Sequence, residues 1–136
     1  IEGTARTLTN EDRDFIERRI GEVAEEVAKA LRARIEYTFF RQPPPVINDR
    51  KVAQKLIDVS RDLYPDDTRI MSRPVMGGED FAWYLERKPG AFFLLANPLE
   101  VNGRLWPQHS CHFALDESLF HRGMEVMVGF VERELT

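Results

Sequence analysis

Three consecutive prolines, Pro43, Pro44 and Pro45, constrain this chain more than any other feature. They stand in "QPPPVIND" (42–49), where fixed φ angles force an extended path and the proline nitrogens donate no hydrogen bonds. No helix runs through such a stretch, so the secondary structure before it is separate from that after it. A domain boundary is the first reading, and a stiff loop inside one domain is the alternative.

Before the prolines the chain reads β-α-β. "IEGTARTL" (1–8) alternates loosely and is rich in Thr, which suggests a short strand. Thr9 and Asn10 are helix-capping types, with Asp12 three residues after Thr9. Apolar residues then recur at Phe15, Ile16, Ile20, Val23, Ala24, Val27, Ala28 and Leu31, the spacing of a helix to about residue 33. "RIEYTFFR" (34–41) alternates again, with β-branched and aromatic residues, as a strand does. Two strands and a helix cannot close a core, so this unit needs strands from elsewhere.

After the prolines Asp49 precedes a second amphipathic helix carrying Val52, Ala53, Leu56, Ile57 and Leu63, ended by Pro65-Asp66-Asp67. A short strand near 69–72, a turn at Gly77-Gly78 and a short helix from Glu79 or Asp80 to Arg87 follow. The run 91–96 is apolar on both faces, as in a strand of a covered sheet. Asn102-Gly103 is a hairpin-turn pair. Asp116 caps a last helix to about residue 134, with Leu119, Phe120, Gly123, Met127, Phe130, Val131 and Leu135 expected inward.

At 136 residues, 43% hydrophobic and 31% charged, the composition is that of a water-soluble globular protein. A net charge of -4 argues against a nucleic-acid surface, and no apolar run reaches the roughly 20 residues that cross a bilayer. One cysteine excludes an internal disulfide framework and fits a reducing, cytoplasmic setting. "IEGTARTL" carries neither an initiator Met nor a signal-peptide pattern, and is expected to lie inside a longer chain.

Three short stretches hold the residues with chemical potential. In "HSCH", His109, Cys111 and His112 are zinc-ligand types. In an extended segment 109 and 111 share a face and 112 points away, so one ion could not easily take all three. The same alternation separates Cys111 from His112 as nucleophile and base. Cys111 then reads as a small buried hydrophobe and His112 as a surface residue, while His109 sits in a loop where ligands from another segment could meet it. "MGGED" (76–80) delivers two carboxylates, Glu79 and Asp80, to a packed helix start, where they serve as caps or as part of a site. In "GTART" (3–7), Arg6 offers a planar fork to a carboxylate or is a surface arginine.

Taken in order, "GTART", the long helix, "PPPVIND", "MGGEDFAWYL…PGAFF" and "HSCHFALDE" before a terminal helix resemble the C-terminal portion of metal-dependent amidohydrolases. These are enzymes of the hippurate hydrolase, N-acyl-amino-acid amidohydrolase and auxin-conjugate hydrolase type. The resemblance covers nearly the whole chain. It implies an α/β fold with an α+β lid portion, in two parts. Residues 1–45 would be the end of a ferredoxin-like lid or dimerisation domain, and 46–136 the last part of a zinc-peptidase-like α/β/α catalytic domain.

The same resemblance implies roles for single residues. His109 matches the last metal ligand, Arg6 an arginine that grips the substrate carboxylate, and Glu79 the active-site side of the catalytic domain. Asn48 falls near the return hinge, as a further substrate-binding position. Cys111 stands where relatives often have proline, and Ala114-Leu115 replaces a more usual Asp-Phe. Two divalent ions (zinc, manganese, cobalt or nickel) would polarise the amide carbonyl of an N-acyl amino acid and lower the pKa of a water, and a glutamate would take its proton. The remaining ligands and that glutamate belong to earlier parts of such enzymes. The 136 residues alone are therefore expected to hold no catalytic residue, to be inactive and to need no retained metal. A homodimer formed through the lid is implied, with no nucleic-acid or membrane partner. Two alternatives stay open: a non-catalytic dimerisation or interaction module, and a small structural zinc protein.

Overall fold

The computed structural model describes residues 1–135. It divides into two units: Ile1–Asp49 with Ile70–Gly90, and Arg50–Arg69 with Ala91–Thr136.

The first unit is organised by α1 (Asn10–Ala30). Its start follows from Thr9, which is extended and whose side-chain oxygen accepts the Asp12 N–H at 3.0 Å. Glu11 and Asp12 in the first turn and Lys29 in the last complement the helix dipole. The helix stops earlier than its apolar pattern suggests. Arg32 turns left-handed at φ 55°, the Ala33 N–H returns to the Ala28 carbonyl at 2.9 Å, and the Arg32 N–H to that of Lys29 at 3.1 Å. This is the doubly hydrogen-bonded C-terminal motif that glycine normally closes. An Arg32→Gly variant is accordingly expected to gain about 0.5–1 kcal/mol, read as a higher thermal midpoint; an unchanged or lower midpoint would contradict it.

The segment 34–42 runs back along α1. Tyr37 donates its hydroxyl to the Glu17 carbonyl at 2.8 Å, and its ring lies where a Cβ on the buried Gly21 would stand, 2.9 Å away. Burial, and secondarily the charge of Glu17, raise the Tyr37 phenol above its ordinary pKa. Arg41 pairs with Asp14 and Glu17, and Arg13 donates to the Gln42 carbonyl. Later in the unit the one-turn helix α2 (Ala82–Leu85) buries Ala82, and the Asp49 N–H bonds the Gly90 carbonyl at 2.8 Å.

The second unit rests on two packed helices, α3 (Arg50–Leu63) and α4 (Phe120–Leu135). α3 precedes α2 in the chain and begins directly after Asp49. Leu56 and Val59 of α3 and Val126 of α4 are its buried core. Gly129 lets the helices approach: a Cβ there would meet Val59 Cγ1 at 3.0 Å. Lys55–Glu134, Asp62–Arg133, Asp67–Arg122 and a Tyr64–Glu125 hydrogen bond line the seam. Exposed pairs of this kind each add little, so the apolar contacts dominate. The Glu125 hydrogen bond raises the Tyr64 pKa.

The rest of this unit is a hairpin and a bridge. β1 (Glu100–Val101) and β2 (Arg104–Leu105) pair antiparallel, with Glu100 opposite Leu105 and Val101 opposite Arg104. Asn102 (φ 55°) and Gly103 (φ 73°) form the two-residue left-handed turn expected from that pair. Pro98 bridges Leu115, with the Leu99 N–H on the Ala114 carbonyl and the Asp116 N–H on that of Asn97. The buried Asn97 returns a side-chain N–H to the Asp116 carbonyl at 3.1 Å. Asp116 accepts from the Ser118 N–H and hydroxyl and starts a 3-10 turn, Glu117–Leu119, that leads into α4.

Several expected features differ. Among the described residues the hairpin is the sole paired sheet, so the expected strands at 1–8, 34–41, 69–72 and 91–96 carry no ladder. A β-rich segment becomes a strand only when a neighbouring edge takes its backbone groups, and these find none. Leu94 and Leu95 of the run expected to be buried are 58% and 38% exposed. No turn forms at Gly77-Gly78. The face of α4 toward α3 is set by Val126 and Gly129, while Met127, Val131 and Leu135, expected inward, are exposed.

Candidate functional site

His109 sits at the end of the excursion between the hairpin and the 98–115 bridge. The segment is two successive turns and is not the extended run assumed from its sequence. The Ser110 N–H bonds the Pro107 carbonyl at 3.2 Å, and the Phe113 N–H bonds the Ser110 carbonyl at 3.1 Å. His109 is the third residue of the first turn and adopts φ 68°. That position belongs by preference to Gly or Asn, so an L-residue with a branched ring there is held under local strain. Its side chain is exposed.

Cys111 and His112 are the middle residues of the second turn, and Cys111, expected to be buried, is an exposed free thiol because the turn carries it at the surface. Strand alternation, expected to point the two side chains apart, therefore does not apply to them. Among the described residues no three His, Cys, Asp or Glu side chains gather where an ion could be held. The residues present thus fit a metal as a single donor and not as a centre.

Around the turns the structure builds something the sequence reading missed. The Trp106 ring lies 4.7 Å from the His112 ring, tilted by 46°, and the Arg104 guanidinium stands 4.4 Å from the Trp106 ring. The indole N–H donates to the Val101 carbonyl at 3.3 Å. Ser110 Oγ accepts the His112 N–H at 3.2 Å. A sequence signal was available, since Arg104 and Trp106 are two apart at a hairpin end and share a side. His112 is exposed, as its sequence position suggests, and its ring nevertheless packs on Trp106.

The first unit brings two other singled-out stretches together. A Cβ on Gly78 would lie 3.2 Å from one Arg6 terminal nitrogen and 3.3 Å from Nε, so the guanidinium rests against the backbone just before Glu79. A side chain at 78 would push the guanidinium back by a few tenths of an ångström. The Glu79 carboxylate accepts the Phe81 N–H at 3.2 Å and so holds the start of α2. Glu79 thus orders the turn that leads into α2, whose N-cap residue Phe81 receives no side-chain capping bond. Asn48 is exposed, next to Asp49 on its Gly90 tether. No described helix is long and apolar enough to cross a membrane.

The profile of peptidase family M20/M25/M40 matches residues 4–133. The chain is 31% identical over 136 residues to an N-acetyldiaminopimelate deacetylase of Lacticaseibacillus paracasei, which covers 99% of this chain and 34% of that protein. It is 30% identical over 127 residues to the putative amidohydrolase YhaA of Bacillus subtilis, covering 93% and 32%. To the IAA-amino acid hydrolase ILR1-like 6 of Arabidopsis thaliana it is 31% identical over 137 residues, covering 98% and 30%. The chain spans about a third of the length of these relatives. No solved structure matches it.

Proposed function

Since the chain belongs to peptidase family M20/M25/M40, we propose that the whole protein is a metal-dependent amidohydrolase acting on N-acyl amino acids or related conjugates. The match across residues 4–133, which takes in "TART", "MGGED" and "HSCH" together, carries this reading. Relatives named as a deacetylase, an amidohydrolase and an amino-acid-conjugate hydrolase share one bond type, an amide next to an amino acid.

In this reading His109 donates one imidazole nitrogen to a divalent metal, of which there are two. Bound metal polarises an amide carbonyl and makes water a nucleophile near neutral pH. Arg6, flat against Gly78, offers paired N–H donors to the substrate carboxylate. Glu79 keeps that turn in place through the Phe81 N–H, and Asn48 borders the substrate path. The other metal donors and the general base lie outside the described residues, so the 136 residues alone are inactive. Residues 1–45 belong to a lid and 46–136 to the catalytic domain. Val23, Val27 and Leu31, exposed at 44%, 53% and 74% along one side of α1, support dimer formation through that lid. The free thiol of Cys111 suits the cytoplasm.

The test is a panel of N-acyl amino acids offered to the whole protein before and after chelation. Hydrolysis of at least one, lost with chelator and restored by zinc, manganese, cobalt or nickel, is expected. Hydrolysis that survives complete metal removal would overturn the proposal.

A further inference from the structure

The rings of Trp106 and His112 close the loop that carries His109. Trp106 is fixed from three directions: by its N–H on the Val101 carbonyl, by the Arg104 guanidinium and by the His112 ring. The His112 backbone is held in turn where its N–H meets the Ser110 hydroxyl. Between these two rings the chain makes two tight turns, and His109 is left-handed at φ 68°. A left-handed L-residue costs about 1–2 kcal/mol relative to its relaxed backbone. Such a conformation persists only where the surroundings over-determine it.

We propose that Trp106 and His112 form a clamp that holds His109 in its left-handed turn, making both rings positioning residues for the His109 imidazole. Neither ring reaches the metal. The hairpin supplies the fixed end of the clamp, and the bridge between Pro98 and Leu115 fixes the other end of the excursion. The ring contact draws Trp106 and His112 together across the five residues between them. That leaves the loop too short to relax at 109 without breaking the contact. Opening the clamp lets residue 109 fall back to an ordinary backbone conformation, which swings its side chain away from a fixed ion.

The proposal rests on His109 being a metal ligand, and the experiment separates the two ideas. Metal content of the whole protein is measured by elemental analysis after dialysis against graded concentrations of a weak chelator. His109→Ala, Trp106→Ala, Trp106→Phe and His112→Ala are compared with the parent, with thermal midpoints recorded for each. Trp106→Ala and His112→Ala are each expected to bind metal about ten- to a hundredfold more weakly, the range for loss of groups that orient a ligand. Trp106→Phe keeps a ring and is expected to restore binding to within a few-fold of the parent. His112 is exposed, so its replacement tests the clamp even if Trp106→Ala does not fold. Parent-like retention in His112→Ala, alongside loss in His109→Ala, would overturn the clamp. Parent-like retention in His109→Ala would overturn the ligand assignment beneath it.

Discussion

A His109→Ala variant of the whole protein is expected to lose about a thousandfold or more in kcat/KM, the several kcal/mol that metal-assisted charge stabilisation supplies. With metal removed from both proteins, its thermal midpoint should barely differ from the parent's. The imidazole is exposed, so truncation opens no cavity, and Ala keeps the same left-handed strain at φ 68°. A His109→Gly variant sharpens the point. It removes the same ligand while relieving the backbone, so it should be equally inactive and somewhat more stable. Steady-state kinetics on the best substrate of the panel, with melting curves, checks both. Activity within tenfold of the parent in either variant would remove His109 from the site.

Arg6→Ala is expected to raise KM by about ten- to a hundredfold for substrates with a free carboxylate, the worth of a hydrogen bond to a charged group. Amide-capped versions of the same substrates should show little change, because they offer no carboxylate to lose. Gly78→Val should act in the same direction more weakly. Its Cβ would stand 3.2 Å from an Arg6 nitrogen, and the guanidinium must move to admit it. Equal losses on capped and free substrates would mean that Arg6 supports the fold and does not read the carboxylate.

These two sites were legible in the sequence to different depths. Local signals survived well: Thr9 and Asp116 cap as their types suggest, and Asn102-Gly103 makes the turn that its tolerance of positive φ allows. Each of these features needs only residues a few positions away. The strands failed for the opposite reason. Segments such as 34–41 have the composition of a strand, but a strand exists only with a second backbone beside it, and Tyr37 is instead spent on Gly21 and Glu17 of α1. At the candidate site, Arg6 and the "GGED" turn were each visible alone. Their meeting across some seventy residues was not, since no local pattern encodes a long-range approach. His109 was singled out, but its left-handed backbone was not read, although histidine is among the residues enriched there.

The hairpin register has a consequence for how lineages of this protein can change length. Side chains alternate along a strand, so one inserted or deleted residue at Asn102-Gly103 would reverse which side Arg104 and Leu105 present. The guanidinium would leave the Trp106 ring, and the indole N–H would lose its place beside Val101. Surface turns are usually where insertions and deletions collect, because little depends on them. This turn is a surface feature by position only. If the proposed clamp holds His109, the two-residue length of this turn is one of its parts, and descendants that keep the clamp should keep the count.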